Sequence, residues 1–184
     1  MDSINTKPND FENHQIERLD KEVSIEPFNL EDAETHLANE DADQQRWISG
    51  GQSTLESVQN WIKKNQEYWQ NGGPVFNFAL RINGKLVGMV EANIDKNQVE
   101  GLEEGDANIS YALYPKARGK GYATKAVNFL VEYLKKMGLK RAVLRIDKDN
   151  APSLKIPLAC GFEEAGEIDT SEGRMLIFRK NLQS

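Results

Sequence analysis

The sequence predicts an α+β domain: a mixed, mostly antiparallel central sheet flanked by helices. Three observations carry that prediction. Strand-like runs and helical periodicities interleave from Val23 to Lys180 in the order β-α-α-β-β-β-α-β-α-β-β. Two of the runs flank Asn83-Gly84, a turn that favours positive φ at both positions and so makes a tight antiparallel hairpin. Beyond them, a strand, a long helix and another strand follow one another as one unit.

Composition bounds the rest. A chain of 184 residues, 39% hydrophobic, holds one domain with a proper core and not two comfortable ones. Residues 1–21 lack periodicity and read as a flexible arm, which leaves 22–184 as the domain. No apolar run reaches the roughly 18 residues of a membrane span, and the N-terminus has no apolar secretory core. The single cysteine, Cys160, fits a reducing compartment, so the expected location is cytoplasmic. Only His14 and His36 accompany that cysteine, too few for a Cys/His zinc cluster, and no metal is expected. A net charge of −6 argues against nucleic-acid binding and suits a cationic substrate.

Each element has its own signal. "VSIEPF" (23–28) reads as the first strand and "LEDAETHLAN" (30–39) as a short helix, followed by a polar loop, "EDADQQRWISGGQ". Ser53 and Glu56 have capping-box spacing at the start of "TLESVQNWIKKNQEYWQ", whose Leu55, Val58, Ile62 and Trp69 recur at helical intervals. "NGGP" ends that helix, and "VFNFALRI" and "KLVGMVEANI" form the hairpin. An acidic loop leads into "ANISYALY" (107–114), with Ala107, Ile109, Tyr111 and Leu113 on one face. Ala123, Ala126, Val127, Leu130, Val131, Leu134 and Met137 then form one helical stripe, closed by Gly138 as a left-handed cap. "RAVLRI" is a strand and "APSLKIPLAC" a short helix, while "GFEEAG" and "RMLIFRKN" finish in β.

The chemistry gathers in "PKARGKGYATKAVNF" (115–129), a basic, glycine-broken approach to the long helix. Orphan N–H groups and the positive end of the helix dipole make an anion site there. Glycine allows close approach, and Lys116, Arg118 and Lys120 add charge. A phosphate or pyrophosphate is the natural guest. Neither a Walker A loop nor a G-x-G-x-x-G fingerprint fits: the Walker spacing is absent, and Thr124 stands where the third glycine of the fingerprint would be.

Arg118-Gly119-Lys120-Gly121-Tyr122-Ala123 resembles the R/Q-x-x-G-x-G/A signature of the GNAT superfamily of N-acetyltransferases. "NAPSLKIPLACGF" further on is similar to that family's second block, an Asn-led helix running into Gly-Phe. The likeness extends from Val23 to Lys180 and is nearest to the ribosomal-protein N-terminal acetyltransferase (RimJ/RimL-like) branch. It implies a GNAT-like sheet, acetyl-CoA as acyl donor, and transfer to a primary amine on a protein N-terminus or a small cationic molecule. Dimers are common among similar proteins, so a homodimer is compatible with it. The pyrophosphate would rest on the loop Gly119, Lys120, Gly121, Tyr122, Ala123 and Thr124, with Arg118 adding its charge. The pantetheine would pair with the backbone of Ala112, Leu113 and Tyr114 and meet Asn150, with Ser153 near the thioester sulfur. Asn150 also reads as a plain helix cap, and both readings stay open.

Transfer to an amine needs a base to deprotonate an ammonium whose pKa is roughly 10. The family's usual glutamate on the strand before the loop is missing: Asn108, Ile109 and Ser110 stand there. Glu91 in "GMVEANI" is the substitute, catalytic and substrate-binding, because a carboxylate in an apolar strand must be paired or face a cleft. An exposed or salt-bridged strand residue is the other reading of it. Asp106, Glu103 and Glu104 rank behind it. The tyrosine that often serves as acid is replaced by Pro157, which leaves Ser153 to assist the sulfur. Tyr111 and Cys160 read as packing residues. Trp47 is the acceptor-site aromatic, while Trp61 and Trp69 read as packing. An acyl-CoA-binding sensor with little catalysis, or a nucleotide binder using the same loop, would share much of this pattern.

Overall fold

In the computed structural model, which describes residues 17–18 and 22–183, the predicted order of elements is present with two additions. The strands are β1 (Glu17–Arg18), β2 (Val23–Pro27), β3 (Val75–Ile82), β4 (Lys85–Asn93), β5 (Asp106–Leu113), β6 (Arg141–Asp147), β7 (Glu163–Thr170) and β8 (Gly173–Asn181). The helices are α1 (Ala33–Ala38), α2 (Ala42–Gln44), α3 (Leu55–Gln70), α4 (Tyr122–Lys136) and α5 (Ile156–Ala159). The arm expected over 1–21 lies outside the described residues except for Glu17 and Arg18, which pair with Ile25 and Ser24.

All eight strands form one sheet in the order β1-β2-β3-β4-β5-β6-β8-β7. Only β5 and β6 run parallel, because α4 carries the chain back between them. Asn83 (φ 49) and Gly84 (φ 75) make the hairpin turn as read from the sequence. Alternation along the strands buries both faces. On one, Phe76, Phe78, Leu80, Val90 and Ile109 meet the α4 stripe of Ala126, Val127, Leu130, Val131 and Leu134. On the other, Ala79, Met89 and Ala112 meet Phe28, Ala33, Val58 and Ile62 from the α1 and α3 side.

Two local expectations are corrected. The polar loop after α1 is not irregular: α2 runs into a π-helical turn, Gln45–Ser49. Asp41 caps α2 by accepting the Gln44 N–H at 3.0 Å, which starts helix in a segment with almost no apolar period. The cap of α3 is Thr54, not Ser53, with Ser57 completing the box. Ser53 is drawn away by Glu40, which accepts its N–H at 2.9 Å and its hydroxyl at 2.6 Å.

What positions the site is a split in the sheet. β5 and β6 pair only through Asp106↔Arg141, Ala107↔Ala142 and Asn108↔Val143. Beyond them β5 stays paired with β4 to Leu113, and β6 with β8 to Asp147. Among the described residues, no helix is long and apolar enough to cross a membrane.

Candidate active site

Two clefts meet at this split. One has a volume of about 570 Å³ and is lined by Ala112, Leu113, Arg118, Gly119, Gly121 and Ala123, with Pro152 and Ile156 opposite. The other, of about 470 Å³, is lined by His36, Trp61, Glu91, Asn108, Ser110 and Asp147, among others. Trp47, Ile48, Tyr111, Asn150 and Ser153 line both and form the passage between them.

The first cleft is built from backbone. Tyr114 donates its N–H to Val87 O at 2.8 Å, toward β4. Strand alternation then turns the N–H and C=O of Leu113 the other way, toward the split. The Leu113 carbonyl does lie there, where it accepts Arg118 Nε–H at 2.9 Å. The edge of β5 therefore offers N–H groups to an extended guest. At the end of the cleft, Gly119 (φ 73) and Gly121 (φ 79) adopt the left-handed conformation, and a Cβ on either would meet nothing within 4 Å. Gly121 is the N-cap of α4 and has no side chain to satisfy the first turn, unlike Asp41 at α2 and Thr54 at α3. The open cradle and the N–H groups of Tyr122, Ala123 and Thr124, which have no acceptor among the described residues, fit a pyrophosphate. Lys116 and Lys120 are exposed beside it. Arg118 is not: its guanidinium lies on Asp41 and Asp43.

The second cleft is built from side chains across three strands. Asn77, Glu91 and Ser110 are register partners on β3, β4 and β5, so they form one polar row on the α1/α3 face. Fully buried Asn77 donates Nδ2–H to Glu91 Oε2 at 2.8 Å. Burial pushes the Glu91 carboxyl above the usual range, and the Asn77 bond opposes this more weakly. Asn108 continues the row, donating to Ser110 Oγ at 3.1 Å. Among the described residues Glu91 therefore has no salt bridge, and it does not lie on an exposed strand face. The lower-ranked carboxylates serve structure instead: Asp106 and Glu103 both pair with Arg141, at 2.6 Å each.

Sequence reasoning passed over three members of the site. His36 is buried, stacked on Trp61 with ring centroids 5.2 Å apart. Its Nδ1 is 2.8 Å from Tyr114 Oη, and its Nε2 is 3.2 Å from Gln44 Nε2. Burial lowers its pKa, so the ring is neutral at physiological pH. Trp61, read as packing, lines the cleft as well. Tyr111 packs against the α4-side core, yet its hydroxyl donates to Ser153 O at 3.3 Å in the passage, and burial pushes its pKa up to about 12. Each of these residues packs against apolar or aromatic neighbours and also lines a cleft, a double role that periodicity does not show. Asn150 does cap the turn that follows, accepting Ser153 N–H on Oδ1 at 3.4 Å, and it also lines both clefts. Cys160 is buried, with Sγ 3.8 Å from Thr124 O, and lines neither cleft.

Comparison with known proteins follows the same outline. The family model of the acetyltransferase (GNAT) domain matches residues 22–163. An uncharacterized N-acetyltransferase of Methanocaldococcus jannaschii, MJ1207, is 30% identical over 89 residues, which are 47% of this chain and 38% of that protein. The chain matches less than half the length of the curated relatives found. The crystal structure of the microcin self-immunity acetyltransferase MccE, in complex with acetyl-CoA and AMP, superposes with a TM-score of 0.74 at 22% identity, over 89% of this chain and 94% of that one. RimL, a ribosomal alpha-N-protein acetyltransferase in complex with coenzyme A, gives 0.75 at 14% identity, over 91% and 98%. At these identities the solved structures establish a shared fold.

Proposed function

This chain belongs to the GNAT acetyltransferase family, and from that premise we propose that it is an N-acetyltransferase moving an acetyl group from acetyl-CoA directly to a primary amine. The observation that carries the proposal is the meeting of two chemically different clefts at Tyr111, Asn150 and Ser153. One is a backbone cradle suited to pyrophosphate and pantetheine, the other a carboxylate-bearing pocket. Two substrates held on either side of one passage need no covalent enzyme intermediate.

Acetyl-CoA supplies an activated acetyl thioester when bound. The chain's own residues do the rest. The loop N–H groups from Gly119 to Thr124 hold the pyrophosphate, and the open edge of β5 with Asn150 holds the pantetheine. Glu91 takes a proton from the acceptor ammonium, so the neutral amine attacks the carbonyl carbon as the carbon–sulfur bond breaks. A carboxyl raised by burial suits that task, because a weak carboxylate base would be a poor match for an alkylammonium. The N–H of Leu113, turned toward the split, is the donor for the carbonyl oxygen as charge develops there. Tyr111, protonated at neutral pH and in the passage beside Ser153, gives its proton to the departing thiolate and is restored by the second proton, which the attacking nitrogen sheds as it becomes an amide.

Glu91, Asp147 and Glu172 outnumber Arg145 in the second cleft, which favours a cationic acceptor. Trp47 and Trp61 supply faces for it. Both acceptor types named from the sequence, a protein N-terminus and a small amine, satisfy this chemistry. The test is thiol release from acetyl-CoA over a panel of polyamines, amino sugars and N-terminal peptides. Turnover with at least one cationic amine is expected. Tight CoA binding with no release across the panel would overturn catalysis in favour of a CoA-binding sensor.

A further inference from the structure

The guanidinium of Arg118 has four of its five N–H donors committed inside the chain. Nε–H goes to Leu113 O at 2.9 Å. Nη1 donates to Asp41 Oδ2 at 2.7 Å and Asp43 Oδ2 at 3.0 Å, and Nη2 to Asp41 Oδ1 at 2.9 Å. One arginine between two carboxylates has no net positive charge left to offer a pyrophosphate, so attraction at the loop falls to its N–H groups and to Lys116 and Lys120. A bidentate grip on an anion would also require Arg118 to leave both aspartates.

Those aspartates begin the segment that walls both clefts. Asp41 caps α2, and the π-helical turn after it carries Trp47 and Ile48 into the passage. The far end of the segment is tied by Glu40, which accepts from Ser49 Oγ at 2.8 Å and from Gln45 Nε2 at 3.3 Å. In the middle, buried Gln44 meets His36. The segment is a strap anchored at both ends, and its only charged tie to the donor loop is Arg118 among the described residues.

We propose that Arg118 is a positioning residue: it pins residues 41–49 to the donor loop and so sets the wall between the two clefts, leaving the pyrophosphate to the loop N–H groups. The kinetic meaning rests on the acetyltransferase reading, but the pin itself does not. The test uses Asp41→Asn, Arg118→Gln and the double variant in the full chain. Asparagine is a good N-cap, so Asp41→Asn removes the charge and keeps the helix start. Hydrogen exchange is followed in peptides covering 41–49, and CoA affinity by calorimetry.

If Arg118 is the pin, each single variant accelerates exchange of 41–49 several-fold, and the double variant exchanges no faster than the faster single one, because both break one link. CoA affinity then falls by less than about tenfold in Arg118→Gln, below the loss expected for a charged hydrogen bond to the ligand. Unchanged exchange of 41–49 in both single variants would overturn the proposal. So would a larger loss of CoA affinity in Arg118→Gln alone, which would make the arginine an anion ligand. Asp43→Asn is the milder control should Arg118→Gln fail to fold. A wild-type chain that binds no CoA would refute the donor-site reading instead, while the exchange data would still decide the pin.

Discussion

Gly88 lies on β4 opposite Leu113, and a Cβ placed on it would stand 2.3 Å from Ala112 O and 3.0 Å from Leu113 Cα. Both are backbone atoms of the strand that edges the donor cleft, and neither can rotate aside. Ordinary van der Waals contact for a Cβ begins at 3.4 Å, so Gly88→Ala must push the end of β5 by about 1 Å. Overpacking of this kind destabilises by about 1–3 kcal/mol, which a folded domain tolerates. The catalytic consequence is larger, because a misplacement of about 1 Å in a positioned reaction costs roughly a hundredfold in rate. Gly88→Ala is therefore expected to fold, to melt lower, and to lose on the order of 10² in kcat with the best amine of the panel. Circular dichroism with a melting curve and a thiol-release assay check both halves. A variant that folds and keeps wild-type kcat would refute the placement of the reacting atoms along Ala112–Leu113.

Glu91→Gln should lower kcat by about 10²–10⁴ while leaving CoA binding in place, as measured by thiol release and calorimetry. The same variant should be more stable at neutral pH. Burial raises the folded carboxyl pKa above its unfolded value, so stability falls as pH rises between the two and the penalty persists above them. Glutamine carries no such penalty, so the gain in melting temperature should be greater at pH 8 than at pH 4. Asn77→Leu removes the hydrogen bond that Asn77 donates to Glu91 and raises that carboxyl further, so the acid limb of the kcat/KM profile moves to higher pH. Equal losses at every pH would show that Asn77 serves structure only. Leu130→Ala, at a fully buried position of the α4 stripe, is expected to cost about 2–5 kcal/mol in denaturant unfolding, and a loss below 1 kcal/mol would refute its place in the core.

Legibility in the sequence followed the range of the interactions. The α4 stripe, the Asn83-Gly84 hairpin and the glycine loop are specified by residues within a turn or two of one another, and all three stand where the pattern puts them. The α3 cap shows the limit at one residue. Ser53 and Thr54 are equal candidates locally, and Glu40, thirteen positions earlier, takes Ser53 out of the competition. The segment after α1 read as loop for a related reason, since its helical start depends on Asp41 and its anchor on Arg118, 77 positions away.

What the sequence determined alone was the family pattern and the donor: an anion cradle is a matter of consecutive backbone groups, and glycines with a helix start spell it out. What only the tertiary structure decided was the make-up of the second cleft and the partners of each charge. Glu91 is one acidic residue among many until cross-strand register sets it between Asn77 and Ser110. His36 and Tyr114, which are 78 positions apart, become one buried unit only when α1 packs on the sheet. Arg118 has the same covalent surroundings whether it holds an anion or a neighbouring segment, and only the fold puts Asp41 and Asp43 against its guanidinium. Register and packing are long-range, so one-dimensional spacing cannot encode them in a readable form.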